Sequence, residues 1–470
     1  MIGKERPPDY SAVAERELAV RSFVVQGYWL ILVVNLSLFA GLTSIPANTL
    51  NIAYLAVSLA TAVTILVVVF RRSLPLINPL TLYVTIWLIL VPLTSMDAPL
   101  MPAMSLEQIR TCLIGGSVYA AGGLIVGILV QPGSAATISL PRTPIQISPR
   151  LMRLAQALLV VSIIAMLGNM ALSGDVALFS ELAESRKAKA VFLGYPLLSS
   201  LGTISLVVGA LSIKVTWTHR ASAGLYLVLQ LLSGQRFVAI VGILLVVATV
   251  GSLGELSRMR VRRVATLLLA LVGAFLLVAQ FRGGAADHNL YFVETGIYNG
   301  DPQELNATEI LRYVGMSQRN MTQVMDRTFD GTHALEFTLS PILWVLGFGV
   351  SSGLGTSTFG YTANNALAYL YHDAGPLWPL LGAFWAIVIN IVYWVMRERP
   401  HSLTWRFCWS VAALGLSLSF FGYVNAYVYW VVLFPVVVAI LEKIGDSPSG
   451  YSAPLRERIS RGRASALSGG

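Results

Sequence analysis

Residues 53–70, AYLAVSLATAVTILVVVF, contain no charged group, and runs of this kind recur along most of the chain. A helix crossing the hydrocarbon core of a bilayer needs roughly 20 mostly apolar residues, and only helices or closed barrels satisfy their backbone there. Twelve candidate spans are legible: 26–43, 47–70, 77–95, 111–131, 150–172, 193–213, 221–233, 236–253, 263–281, 377–396, 404–421 and 424–441. Charged residues make up 12% of the chain, about half the share of a soluble domain. The expected fold is all-α, a polytopic membrane protein of about 12 transmembrane helices with one large external loop. Its expected organisation is a cytoplasmic N-terminal segment (1–25), helices 1–9 (26–281), the external loop (282–376), helices 10–12 (377–441) and a polar cytoplasmic tail (442–470).

Charge sets the orientation, because Lys and Arg concentrate on the cytoplasmic side of a membrane. With the N-terminus inside, the 32 basic residues divide as 23 inside and 9 outside, and the 23 acids as 9 inside and 14 outside. The net charge of +9 is therefore a topology signal, and nucleic-acid binding is not needed to explain it. The first residues carry no apolar h-region or cleavage site and read as cytoplasmic rather than as a signal peptide. Cys112 and Cys408 fall in spans near opposite faces, too far apart for a disulfide.

The same rule places a break at Ser233-Gly234-Gln235-Arg236, since one helix over 221–253 would turn the run RMRVRR outward. The segment 221–233 is too short for a core of about 30 Å at about 1.5 Å per residue. Arg236 is then recessed below the outer surface, where a guanidinium either binds phosphate or snorkels to the interface. The stretch 339–350 is also too short to span and reads as interfacial or re-entrant.

Residues 282–376 form a 95-residue external loop, long enough to imply a function. Within it, NATEILRYVGMSQRNMTQVMDRTFD reads as a helix with Asn306 as N-cap and Glu309 three residues on. Arg312 and Arg319 are seven apart and share a face, which either meets water or binds an anion. Sequons at Asn306 and Asn320 would matter only in a eukaryotic lumen. His288 and His333 read as ordinary loop residues.

The loop ends in YTANNALAYLYHDAGPL (361–377), followed by a span. This resembles the bacterial O-antigen polymerases, also called oligosaccharide repeat-unit polymerases, in which a short helix bearing Asn or His leads into an Asp/Glu-x-Gly turn and the next membrane helix. The Ser-Gly-Gln-Arg break and the Asn78-Pro79 start of the third span are similar to features of the same family. The resemblance implies a GT-C-like glycosyltransferase at the outer face of the bacterial cytoplasmic membrane, with both termini cytoplasmic. Its donor and acceptor would be glycans on undecaprenyl pyrophosphate, with no cofactor or metal, and a chain-length regulator is a further candidate partner. Arg236, Arg312 and Arg319 would hold the pyrophosphate. O-antigen ligases place a histidine where Asn364 stands, and an amide positions a hydroxyl but does not take its proton.

The candidate catalytic residues are thus Asn364, His372 and Asp373. On one helix, residues 364, 368, 371 and 372 share a side, which would bring His372 near Asn364. Asp373 either serves in the chemistry or, the commoner use, caps the helix starting near Gly375. No metal-ligand spacing, phosphate-cradling glycine motif or GxSxG is present. A GT-C enzyme using a polyprenyl monophosphate sugar would carry acids in the first external loop, here TSIPA (43–47), which has none. A lipid-linked oligosaccharide flippase would show internal repeats and short loops, and neither is seen.

Overall fold

The computed structural model describes residues 10–71, 75, 77–129, 147–173, 194–212, 215–233, 236–251, 293, 299–300, 302–345, 354, 364–399, 401–420 and 429–445. The described residues are helical apart from turns and a single bridge between Ala98 and Met101. In chain order the helices are α1 Tyr10–Gly41, α2 Ala47–Arg71, α3 Pro79–Leu93, α4 Leu106–Leu129, α5 Pro149–Ser173, α6 Tyr195–Leu211 and α7 Trp217–Leu232. They continue as α8 Arg236–Gly251, α9 Pro302–Met325, α10 Glu336–Val345, α11 Ala366–Ala374, α12 Trp378–Glu398, α13 Leu403–Ser417 and α14 Phe434–Gly445. Eleven of the twelve expected spans overlap these helices, 424–441 only in its second half, and the remaining one, 263–281, lies outside the described residues. Five stretches are long and apolar enough to cross a membrane: Val20–Gly41, Thr49–Arg71, Leu106–Leu129, Pro149–Ser173 and Ala366–Glu398. Their outward faces carry Trp29, Leu36, Ile52, Phe70, Ile128, Ile164, Leu380 and Phe384, an apolar surface that a bilayer solvates and water does not.

Local chemistry accounts for where the helices start. Asn78 accepts from the Thr81 backbone N–H (3.0 Å) and its own N–H donates to Thr81 Oγ1 (3.2 Å), a closed capping box with Pro79 in the first helical position. Thr216 caps α7 through the His219 N–H, so that helix starts four residues before the expected span. It ends at Ser233 and a new helix opens at Arg236, which bears out the break.

Three apolar clusters organise the bundle, the smallest of them joining α5, α6 and α7 through Leu159, Tyr195 and Tyr226. The first joins α1–α4, α9, α11 and α12 with one face of α13, and the second joins α5, α6, α8 and α14 with the opposite face. Helix α4 sits at the centre of the first because its glycines admit neighbours closer than any side chain would allow. A Cβ at Gly123 would lie 2.4 Å from the Tyr28 ring of α1, and one at Gly122 would lie 2.7 Å from Ala386 of α12. Two buried polar pairs also join elements of this cluster: Tyr28 Oη donates to Asn390 Oδ1 (2.9 Å), and Trp87 Nε1 donates to Ser419 Oγ (2.8 Å). Cys112 and Cys408 are free thiols.

Helix α9 lies across one end of this bundle. It begins at Pro302, not at Asn306, because proline fits a first helical position and leaves Asn306 in the second turn. Met316 through Met321 are all buried, six consecutive residues, so the helix is enclosed on every side there. Asn320 of the second sequon is inaccessible with them. Contacts to three other elements hold α9 in place. Gln108 Nε2 at the start of α4 donates to Thr322 Oγ1 (3.2 Å), and Ser317 Oγ and Gln318 Nε2 both donate to the Phe420 carbonyl beyond α13. The third contact is made by the Asn365 amide, which donates to Gln318 Oε1.

Candidate functional site

Described residues between the end of α9 and the end of α11 line a polar cleft of about 330 Å³. It is lined by Val324, Arg327, Thr328, Phe329, Asp330, His333, Glu336, Leu354, Tyr371 and His372. Three pieces of backbone meet there: the turn after α9, the first residue of α10 and the last turn of α11.

The turn is set by Asp330, whose Oδ1 accepts from the Thr332 backbone N–H (2.9 Å) and from its hydroxyl (2.8 Å). These bonds hold the Asp330 carboxyl below its ordinary pKa. Gly331 takes φ +77° and Leu335 takes φ +58°. A left-handed leucine costs on the order of 1–2 kcal/mol, and Leu335 is held there by its N–H donating to the Asp373 carbonyl (2.9 Å). That conformation returns the chain so that Glu336 stands beside His333, with Nδ1 of the imidazole 2.9 Å from Oε2 of the carboxylate.

Asp373 closes the arrangement from behind. Its side chain is fully buried, and it accepts from the Phe337 N–H at Oδ1 (3.0 Å) and the Thr338 N–H at Oδ2 (2.6 Å). Asp373 therefore caps a helix, but the helix is α10. The expected target, the turn at Gly375–Leu377, is headed by Ala374 with no side-chain cap. The reason is geometric: Asp373 is still inside α11, so its carboxylate leaves the helix sideways, toward the N–H groups that open α10. Gly375 follows with φ +52°, and a Cβ there would lie 2.5 Å from Phe329 Cγ, so the turn after α9 packs directly on its backbone.

His372 lies in the cleft, its ring 5.6 Å from that of His333 and edge-on to Phe337 at 5.2 Å. Its Nδ1 is 3.6 Å from Asp373 Oδ1, beyond hydrogen-bond reach. Asn364 does not join it. Helix α11 starts at Ala366, with Asn365 as its cap accepting from the Ala368 N–H (3.0 Å), so Asn364 precedes the helix and shares no face with His372. Asn364 is buried at the opposite end of α11, about 12 Å away along the axis at about 1.5 Å per residue.

The arginines divide in the same way. Arg312 and Arg319 are both buried, which overturns the water-facing alternative, and neither lines the cleft. Arg319 acts as a clamp: Nε and Nη2 donate to the Pro102 carbonyl, Nη2 also to Thr94 O (2.8 Å) and Nη1 to Gly315 O (3.1 Å). Burial pulls its pKa down to about 10, so it stays charged at neutral pH. Arg236 opens α8, and its side chain lies outside the described residues. Arg327, which the sequence reasoning passed over, is exposed in the cleft with Nη1 donating to the Leu354 carbonyl (2.8 Å). Among the described residues, no group of three or more His, Cys, Asp or Glu is placed to hold a metal ion.

A second, apolar cavity lies on the other side of α11. Its walls include Trp87, Tyr119, Leu367, Leu370, Trp378 and Trp385, from α3, α4, α11 and α12. One nine-residue helix thus borders both spaces, presenting Leu367 and Leu370 to the apolar one and Tyr371 and His372 to the polar one. No family model, curated protein or solved structure matches this chain.

Proposed function

We propose that this protein polymerises oligosaccharide repeat units carried on undecaprenyl pyrophosphate, as a metal-independent, GT-C-like glycosyltransferase. In this reading twelve spans carry it through a bacterial inner membrane, with both termini cytoplasmic and residues 282–376 outside. The observation that supports it most is the two-sided α11. A lipid-linked glycan is an apolar chain joined to a charged and hydroxylated head, and α11 separates an apolar cavity among membrane-length helices from a cleft holding Arg, His, Asp and Glu. The terminal hydroxyl of the acceptor attacks the anomeric carbon of the donor, and lipid pyrophosphate leaves with the bonding electrons. The resemblance assigns Arg236, Arg312 and Arg319 to that leaving group; Arg312 and Arg319 are buried away from the cleft, and Arg327 is the arginine that lines it among the described residues. Arg319, committed to backbone carbonyls, positions α9. Asn365 holds the start of α11, and Asp373 ties its end to α10.

The test uses the purified protein in lipid nanodiscs. The substrate is undecaprenyl-pyrophosphate-linked repeat unit extracted from cells lacking this protein. A ladder of products spaced by one repeat is expected. Transfer of single units to a lipid acceptor without a ladder would replace this reading with that of a ligase, and no transfer of either kind would remove it.

A further inference from the structure

The resemblance leaves the base for this reaction unassigned, and the inference rests on the polymerase reading. We propose that His333, oriented by Glu336, takes the proton from the acceptor sugar hydroxyl. Glu336 is mostly buried at the head of α10, its side chain 13% exposed, while the His333 side chain is 61% exposed to the cleft. Once the 2.9 Å contact between Nδ1 and the carboxylate aligns as a hydrogen bond, the imidazole carries its N–H on Nδ1 and leaves the Nε2 lone pair for substrate. The contact is short but off-line in the resting geometry, and catalytic contacts of this kind tighten when substrate fills a site.

The other candidates in the cleft are each less suited. Both oxygens of Asp373 already accept backbone N–H groups, and its side chain is fully buried. Asp330 accepts two hydrogen bonds at one oxygen, which makes it a weaker base. His372 Nδ1 is buried, and the carboxylate oxygen facing it, Asp373 Oδ1, is 3.6 Å away and already accepts the Phe337 N–H. The His372 ring 5.6 Å from His333 forms the opposite wall, where it can bracket the incoming hydroxyl. The strained Leu335 between His333 and Glu336 is the backbone feature that brings the two together, and strain of this kind concentrates at functional sites.

The step balances without a further reactant. The acceptor O–H bond breaks and its proton passes to His333 Nε2. The oxygen forms the new bond to the anomeric carbon, and the bond from that carbon to the pyrophosphate oxygen breaks with its electron pair on the leaving group. The imidazolium then releases its proton to water in the open cleft.

The test uses the full-length protein in nanodiscs with the extracted lipid-linked repeat unit. His333→Gln should lower kcat by about 10²–10⁴-fold with little change in KM, as expected for loss of a base. His333→Ala should recover part of that loss as imidazole is added, a rescue that a merely structural histidine does not show. Glu336→Gln keeps an oxygen that accepts from Nδ1 and should lose about tenfold in kcat, less than Glu336→Ala. Activity of His333→Gln close to wild type, or a loss in His333→Ala that imidazole leaves unchanged, overturns the assignment while the polymerase reading stands. A wild-type protein that makes no polymer removes both.

Discussion

Removing the charge of Asp373 should unlatch α10 without unfolding the bundle. The buried carboxylate receives two backbone N–H groups, from Phe337 at 3.0 Å and Thr338 at 2.6 Å, and both belong to the first turn of α10. Asp373→Asn keeps one acceptor oxygen but turns an amide N–H toward the second donor. One charge-assisted bond is lost, worth about 1.5–3 kcal/mol, together with the anion at the helix N-terminus, about 0.3–1 kcal/mol. A local loss of about 2–4 kcal/mol follows at the head of α10. Converted at about 1.4 kcal/mol per decade, amide exchange over 337–345 should accelerate by roughly 30–700-fold, with α4 and α12 unaffected. Asp373→Ser should behave the same way, because a single short hydroxyl cannot reach both donors from a neighbouring helix. Hydrogen–deuterium exchange read by mass spectrometry measures this directly. Unchanged protection of 337–345 in Asp373→Asn would refute the capping geometry and return Asp373 to the chemistry.

The remaining predictions concern other parts of the same frame. Gly375→Ala should destabilise by about 1–3 kcal/mol, read as a lower thermal midpoint in detergent, because the new methyl meets both a positive φ and Phe329 at 2.5 Å. Arg319→Lys should lower the same midpoint and expose the 302–325 helix to limited proteolysis, since one ammonium cannot reproduce a fork bonded to Pro102, Thr94 and Gly315. A reporter active only outside the cytoplasm should be active when fused near residue 320 and silent at the C-terminus, and the reverse pattern would sink the assigned orientation.

The helices were legible because their signals are local. Apolar runs gave eleven observed elements, Asn78-Pro79 gave a true capping box, and the Ser233–Arg236 break gave a true helix boundary. Errors appeared where a partner distant in sequence decided the outcome. Asn306 looks like a cap until Pro302 is given the first position, and the Arg312/Arg319 face looks solvent-exposed until the carbonyls of Thr94 and Pro102 are folded over it. An arginine bonded to backbone carbonyls has no sequence signature, because every residue has a carbonyl.

The site was harder to read for a reason its own geometry supplies. The segment 364–375 stands out in the sequence, but it holds mainly the supports of the cleft: Asn365 and Asp373 tie α11 to Gln318 and to the head of α10, and Gly375 makes room for Phe329. The groups exposed for chemistry come largely from the turn after α9, where His333 and Glu336 stand three apart outside any regular helical stripe. One signal was available, because a His-x-x-Glu pair at a helix start places imidazole and carboxylate within reach of each other. It was hidden because the residue between them that makes the contact possible, Leu335, is one that sequence patterns never assign to a left-handed backbone. The supports depend on side-chain hydrogen bonds of Asn365 and Asp373 and on the missing Cβ of Gly375, so they stand out as a motif. The reactive pair needs only a bend and a shared surface, so it does not.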